Sequence, residues 1–537
     1  MNLPFAVSGQ IWHSYDFPAH VFFASHYQRT WWSLWEPRWF DGFNVASYPP
    51  LTHQLAALLG WLIGIGNAVN VLTAAATIVL PVPVYRLSRR YFGIHAARRA
   101  ALLAVVVPSV LLAAYAFGQL PTLFALDVGL FAADALSCFI RNGDISRFTL
   151  LVVLGGMAVA GHHATFIFFL PPLLGTVALA ELLRARRPRQ VAIRTGIAAV
   201  GLAIVAAVVI LPFWVWHANE YVTQVPIDHQ SRHSIFQDIV AQDLFFWAEH
   251  GVLVVALILV LPMVLRKPRL TLPWYLLAVL LFLLGLGGTT PLPRLLFGEQ
   301  WAWLTYDRFS IWADIPLIIL LGAMAARWFH SGRREFLIGR IAWWITVGFL
   351  ASYAILDSVM PALVQTEPKP IDLVPIVQYL QQNGNDRWRY LTLGMGDQEG
   401  ILNSLTDVGT VDGYFYTARR MPLLTQSGVG QLDFALLWDS GAATVRQLLA
   451  NPDPYSLRWV FTSNPTYEKF LVDSSRWKLD TVLSNGIQVW ESRDAVPTVD
   501  APPVGNNVLG VWWGLVPLAV AASVGPVGWW VWRTRDP

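Results

Sequence analysis

The chain has 537 residues, of which 55% are hydrophobic and only 13% are charged, and it contains 26 tryptophans. This composition is typical of a multi-pass membrane protein and excludes an ordinary soluble domain. The net charge of +3 is too small to indicate nucleic-acid binding, and the single cysteine, Cys138, excludes a disulfide framework or a cysteine metal site.

The stretch from Tyr15 to His53 gathers ionisable side chains among tryptophans: Asp16, His20, His26, Glu36, Arg38, Asp41 and His53. Such groups beside apolar helices indicate a functional site at the membrane surface, whereas the alternative is an aromatic belt with solvated charges. We take His20, Glu36, Arg38 and His53 as candidate substrate-binding residues. Glu36 either joins Asp16 or pairs with Arg38 on the rim, and the sequence leaves both interpretations open.

Asp16 and His20 lie four residues apart, so a helix would place them on one face. The Asp16 carboxylate is a candidate general base toward a hydroxyl, or a ligand for a divalent cation that His20 would help to hold. A surface pair without a role is the alternative, because this spacing alone is weak evidence.

Eleven apolar runs predict membrane spans, at residues 68–85, 99–117, 121–140, 148–161, 164–183, 195–213, 249–265, 270–288, 309–327, 340–360 and 507–531. This assignment puts all six basic clusters on one side, the cytoplasmic one. The apolar run 51–65 is too short to cross, so we interpret it as an interfacial helix. Residues 1–66 are then extracytoplasmic, and we expect either a further span before residue 1 or its remainder in residues 1–12.

Four polar positions in the membrane part are further candidates. Asp127 and Asp134 share one face of an apolar helix; Asp127 lies nearer the outer surface and is a candidate for a lipid-phosphate cavity, whereas Asp134 is better explained as a contact between helices. Of the adjacent His162 and His163 at an outer turn, at most one should face a site, and we take His163 as a candidate binding residue or metal ligand. Arg308 begins a span on the outer side and suits an anionic headgroup, the alternative being a snorkelling arginine.

Residues 361–505 differ in kind from the rest, because short β-like runs alternate with Gly, Asn, Asp and Pro turns. The expected strands are 389–393, 457–462 and 486–491, and the expected helices are 372–382 and 442–449. We predict an α-helical polytopic membrane protein of about 11 spans with a small extracytoplasmic α/β domain. Its parts are the first loop (1–66), the membrane domain (67–360), the outer domain (361–505), and a last span with a cytoplasmic tail (506–537).

An acidic residue, an aromatic loop and then Tyr48-Pro49-Pro50-Leu51 opening an interfacial helix resemble the first outer loop of GT-C glycosyltransferases. The chain order is most similar to prokaryotic membrane proteins labelled 6-pyruvoyl-tetrahydropterin-synthase-related. Residues 455–497 of this chain resemble the outer segment of those proteins. Here no Asp-Glu or Asp-x-Asp doublet stands at Asp16, and no acceptor-peptide motif is present.

The resemblance implies an enzyme of the cell membrane that transfers a hexosyl or pentosyl unit from a polyprenyl-phosphate donor to an unidentified extracytoplasmic acceptor. It also implies that Asp16 is the acidic residue of the first loop, that Arg308 contacts the donor phosphate, and that Mg²⁺ or Mn²⁺ is a candidate cofactor, with Asp16 and His163 as its ligands. The alternatives are a transporter or flippase of lipid-linked glycans, with Asp127 and Asp134 on its path, and a non-catalytic membrane scaffold.

Overall fold

The computed structural model describes residues 2–330, 337–363, 368–498 and 507–534. Within these residues, nine helices are long and apolar enough to cross a membrane: Ile65–Phe92, Ile94–Tyr115, Leu120–Asn142, Thr165–Leu182, Pro188–Val209, Pro268–Gly285, Asp307–Phe329, Leu337–Pro361 and Val508–Arg533. The predicted fold class is confirmed.

Two of the eleven expected spans differ from the others. The expected span 148–161 is the helix Ile145–Gly161, whose 17 residues rise only about 25 Å. The expected span 249–265 falls on a pair of helices, Ile239–His250 and Val254–Arg266, which meet at an angle of 55°. The described residues therefore hold nine spans, or ten if the bent pair counts as one.

Two helices form the centre of the membrane domain. Leu120–Asn142 and Asp307–Phe329 are each 89% buried. Pro188–Val209 and Val508–Arg533 are only 22% buried and lie at the periphery of the helix bundle. At the cytoplasmic side, Asp134 joins two helices, because one of its carboxylate oxygens accepts from Arg86 and the other from Arg90. This pairing explains how a carboxylate is tolerated inside an apolar helix.

The N-terminal part, which we call the arm (residues 2–63), lies on the outer side. Its helices are Asn2–Ser8, Phe17–Thr30 and Leu51–Ile63, and a two-stranded antiparallel ribbon joins Trp35–Glu36 to Phe43–Asn44. Leu51–Ile63 has 13 residues, too few to span about 30 Å of hydrocarbon. The Cβ that an alanine would add at Gly42 would meet the Trp35 ring at 2.0 Å, so the ribbon requires glycine there.

The outer domain (residues 368–498) contains a four-stranded sheet. Its strands are Arg389–Leu393, Leu457–Thr462, Gln488–Ser492 and Trp477–Val482 in spatial order; the first pair is parallel and the others are antiparallel. Its α-helices are Val374–Gln381, Gln398–Leu405, Pro422–Ser427, Gly441–Ala450 and Pro465–Val472. Two expected strands have the bounds predicted from the sequence, and the third begins two residues later than expected.

The arm is held against both the outer domain and the last span. Trp39 donates its indole N–H to the Asn403 side-chain oxygen of the outer domain at 2.7 Å. Trp513 of the last helix donates to the Tyr27 hydroxyl at 3.0 Å, and these two residues are 486 positions apart in the chain. The arm and the outer domain therefore lie on the same side of the membrane.

Candidate functional site

Asp16 lies at the outer end of the central helices. It precedes the helix Phe17–Thr30, and its backbone N–H donates to the Phe117 carbonyl at 3.0 Å. Gly118, in the same turn, has φ +74°, and an added Cβ would meet the Ser14 hydroxyl at 2.4 Å. The close approach of the arm to this turn thus fixes Asp16 at the membrane boundary.

The Asp16 carboxyl group is tuned by its surroundings. Burial is the main cause that raises its pKa from 3.8 to about 6; the nearby Arg308 lowers it, and Asp307 raises it further. The Tyr414 hydroxyl donates to the carboxylate at 3.4 Å. A carboxyl that titrates near neutral pH in a crevice has the properties expected of a general base.

Arg308 stands in the first turn of the helix Asp307–His330. Its guanidinium donates to the Thr305 hydroxyl and, at 3.4 Å, to the Thr122 hydroxyl. Among the described residues it has no direct ion pair, since Asp16 and Asp307 act on it at longer range. Asp307 instead accepts from the Gln119 amide. The guanidinium is therefore positioned by neutral groups and retains donors for an external anion.

A loop of the outer domain, Gly413–Thr417, completes one wall of the site. The Tyr414 hydroxyl also donates to the Tyr15 carbonyl at 2.7 Å, and the Phe415 ring meets the Tyr48 ring edge-on at 4.6 Å. Tyr416 lies close enough to Arg308 to interact with it electrostatically. Sequence reasoning missed this loop, and the only signal was the aromatic run after a glycine.

A second wall comes from residues 220–238. Burial is the main cause that lowers the pKa of His229 to about 4, and the neighbouring Arg232 lowers it as well, so His229 is neutral at pH 7. The Ser231 hydroxyl accepts from the Tyr306 backbone N–H at 3.1 Å, which ties this loop to the residue two before Arg308. Gly288 passes directly under the loop, because an added Cβ would lie 2.0 Å from the Arg232 carbonyl oxygen.

His20 and His53 form a pair beside Asp16. Their ring nitrogens lie 3.0 Å apart, and the outer nitrogens contact the Gly118 and Pro49 carbonyl oxygens at 2.9 and 3.2 Å. Burial lowers the pKa of His20 to about 4 and also lowers that of His53. With all four ring nitrogens in contact with protein, this pair supports the arm around Asp16 and offers no nitrogen to a metal.

Glu36 and Arg38 are paired with each other. Two guanidinium nitrogens of Arg38 donate to the two Glu36 oxygens at 2.7 and 2.6 Å, and His26 contacts the same carboxylate at 2.9 Å. Both side chains are about 2% exposed, so the pair is buried and does not lie on a rim. Burial raises the pKa of Glu36 and the Arg38 guanidinium lowers it, and the net result is a pKa well below the usual range.

The structure brings His162, and not His163, next to Arg308. His162 contacts the Thr165 hydroxyl at 2.7 Å, and Arg308 contributes to lowering its pKa after burial. His163 instead packs on the Phe213 ring, with 4.4 Å between ring centroids. Asp127 is buried in the central helix, and one of its oxygens has no hydrogen-bond partner among the described residues.

Among the described residues, the predicted ligands Asp16 and His163 belong to no metal-binding cluster. In the part of the chain that the structure describes, no three His, Cys, Asp or Glu side chains come together as a metal site. His163 faces Phe213, and Arg308 places a positive charge near Asp16 where a cation would otherwise be expected.

Comparison with known proteins places this geometry in a wider group. No family model and no curated protein matches the chain. Among solved structures, it is similar to ArnT from Cupriavidus metallidurans bound to undecaprenyl phosphate, with a TM-score of 0.51, 12% identity, and coverage of 93% of this chain and 98% of that chain.

Two further structures are similar to the chain. For the Archaeoglobus fulgidus oligosaccharyltransferase in the apo form, the TM-score is 0.50 at 12% identity, with coverage of 84% of this chain and 66% of that one. For a mutant of the arabinofuranosyltransferase AftD from mycobacteria, the TM-score is 0.51 at 13% identity, with coverage of 89% and 39%. Such low identity establishes the fold alone. The chain therefore shares the overall fold of these three structures.

Proposed function

We propose that the chain is a glycosyltransferase that moves a hexosyl or pentosyl unit from a polyprenyl-phosphate donor to an extracytoplasmic acceptor. The observation that carries the proposal is the proximity of the Asp16 carboxyl to the Arg308 guanidinium at the outer membrane boundary. The similarity to a transferase solved with undecaprenyl phosphate supports the donor class. The name 6-pyruvoyl-tetrahydropterin-synthase-related stays a prediction.

In the proposed reaction, the acceptor hydroxyl oxygen attacks the anomeric carbon, and the bond from that carbon to the donor phosphate oxygen breaks. Asp16 accepts the hydroxyl proton as general base. Arg308 donates to the departing phosphate, whose negative charge grows as the bond breaks. A single displacement of this kind inverts the anomeric configuration.

The residues around these two groups have positioning roles in the proposal. Tyr414 and the His20–His53 pair hold the arm on either side of Asp16, and Thr122 orients Arg308. Glu36 and Arg38 have no free donor or acceptor directed at a substrate, so we assign them to the support of the arm.

The test is transfer of labelled sugar from a polyprenyl-phosphate donor by the full chain in proteoliposomes. We expect Asp16→Asn to lower the rate by about a hundredfold or more, because general base catalysis typically contributes that much. Asp439→Asn, a change at an exposed carboxylate of the outer domain, is the matched control. Equal rates for Asp16→Asn and wild type would remove the role of Asp16.

The transporter alternative gains no specific support. It predicted a polar path through Asp127 and Asp134, but Asp134 is engaged by Arg86 and Arg90 at the opposite side of the membrane from the crevice.

A further inference from the structure

A cavity of about 370 Å³ opens on the cytoplasmic side, where three helices end together. Its wall is formed by the end of Leu120–Asn142, the end of Leu170–Leu182 and the start of Pro188–Val209. The 23 residues of Leu120–Asn142 separate it from the Asp16 crevice by about 33 Å. The cavity is therefore distinct from the proposed transfer site.

Five arginines and one carboxylate line this cavity: Arg141, Arg184, Arg186, Arg187, Arg194 and Glu181. Arg141 donates to the Glu181 carboxylate, with 2.8 Å between donor and acceptor. Arg194 donates to the Ile140 and Arg141 carbonyl oxygens at 2.6 and 2.9 Å.

The other three arginines are differently placed. Arg184, Arg186 and Arg187 are exposed and have no carboxylate partner among the described residues, although Arg184 lies over the Tyr91 ring. The first turn of Pro188–Val209 adds backbone N–H groups and the positive end of a 22-residue helix. The cavity thus presents a surplus of positive charge that no carboxylate of the described residues neutralises.

An apolar face continues from the cavity toward the membrane centre. Ile193, Ile197, Val200 and Ile204 follow one another along one face of the same helix and are between 48% and 60% exposed. A basic cavity and an adjacent apolar face match the two halves of a phospholipid. A free inorganic anion would use only the first half.

We propose that this cavity binds the headgroup of an anionic diacyl phospholipid of the cytoplasmic leaflet, with its acyl chains along the Ile193–Ile204 face. Basic pockets between membrane helices on the cytoplasmic side bind such headgroups in general. The headgroup phosphate contacts Arg184, Arg186 and Arg187. The alternative explanation is that these arginines are solvated and act only as topology signals.

The experiment uses the purified full chain in detergent. Dioleoylphosphatidylglycerol and dioleoylphosphatidylcholine are titrated separately, and bound lipid is counted by native mass spectrometry. We expect the Arg184→Gln/Arg187→Gln variant to bind the anionic lipid about twenty-five-fold more weakly, since each arginine removed weakens binding about fivefold. The control Arg266→Gln/Arg269→Gln removes the same charge from another basic cluster and should bind as wild type does.

Two further measurements make each outcome decisive. Arg184→Lys/Arg187→Lys keeps the charge and should retain most of the binding, which separates loss of charge from misfolding. Inorganic phosphate should protect the chain from thermal unfolding far less than the anionic lipid does. Equal binding of the two lipids, equal loss in the control, or equal protection by phosphate would each overturn the proposal.

Discussion

The pH dependence of transfer is the most direct consequence of the crevice around Asp16. Its pKa rises from 3.8 to about 6, which corresponds to about 3 kcal/mol in favour of the neutral acid. A base must be ionised to accept a proton. Lowering the pH from 8 to 5 should therefore reduce the ionised fraction, and with it the transfer rate, about tenfold.

Thermal unfolding measured over the same pH range separates loss of the fold from titration of Asp16, because buried groups affect stability in both directions. A carboxyl whose pKa is higher in the folded than in the unfolded chain binds more protons when folded, so its protonation stabilises the fold as the pH falls. Burial gives Asp433 in the outer domain the same shift, to about 6. His20 and His229 act in the opposite sense, because burial lowers their pKa to about 4 and only the unfolded chain binds a proton at each of them near pH 6.5, so they weaken the fold as the pH falls toward 5.

The assay is kcat/KM for the donor, measured at half-unit steps of pH in detergent, because kcat/KM reports the pKa values of the free enzyme. A phosphodiester donor keeps one negative charge throughout this range, so the enzyme alone titrates. Arg308→Gln removes the charge that lowers the pKa of Asp16, and the acidic limb of its residual activity should move to higher pH. A level rate from pH 8 to 5, or a limb that Arg308→Gln leaves in place, would refute the reasoning.

Three other results are expected. Arg38→Met leaves Glu36 buried without its cation and should lower the free energy of unfolding, measured by chemical denaturation, by about 3–5 kcal/mol. The double variant Glu36→Gln/Arg38→Met should lower this free energy much less. A wild-type stability for Arg38→Met would contradict the buried pair. Gly288→Ala should slow transfer and lower thermal stability, because its Cβ would lie 2.0 Å from the Arg232 backbone carbonyl oxygen and the backbone must shift. Gly348→Ala, with no atom within 4 Å of the added carbon, should match wild type in both measurements. EDTA should leave the transfer rate unchanged, because in the proposed reaction the Arg308 guanidinium stabilises the departing phosphate. A loss that Mg²⁺ reverses would show that this inference is wrong.

The membrane architecture was readable from the sequence because it depends on local properties. Apolar length sets the spans, and basic clusters set their direction, so nearly every span was placed within a few residues. The bend between His250 and Val254 was not predicted, because hydropathy alone does not report a change of direction. The strands 389–393 and 457–462 were found through their β-branched and aromatic residues between turn signals.

The site itself was only partly accessible. Asp16 and Arg308 were predicted as site residues from their position beside spans, and in the structure they lie close enough to interact electrostatically, while their roles stay a prediction. The sequence could not show that His162 rather than His163 lies next to Arg308. The direction of the two rings depends on the extended backbone of His162 (φ −160°, ψ 109°), which ends one helix. Tyr414 is about 400 residues from Asp16 in the chain, and no local pattern reports a contact of that kind.

The bond between Trp513 and Tyr27 has a consequence for biosynthesis. Tyr27 is synthesised before the membrane domain and Trp513 after it, so the arm is fastened only after the outer domain has crossed the membrane and supplied Tyr414. In a partly synthesised chain whose Asp16 has already crossed the membrane, neither the contact of Tyr414 nor the bond between Trp513 and Tyr27 has formed. The proposed transfer site is thus complete only once the helix Val508–Arg533 has inserted, and a chain that ends before this helix should have no transfer activity.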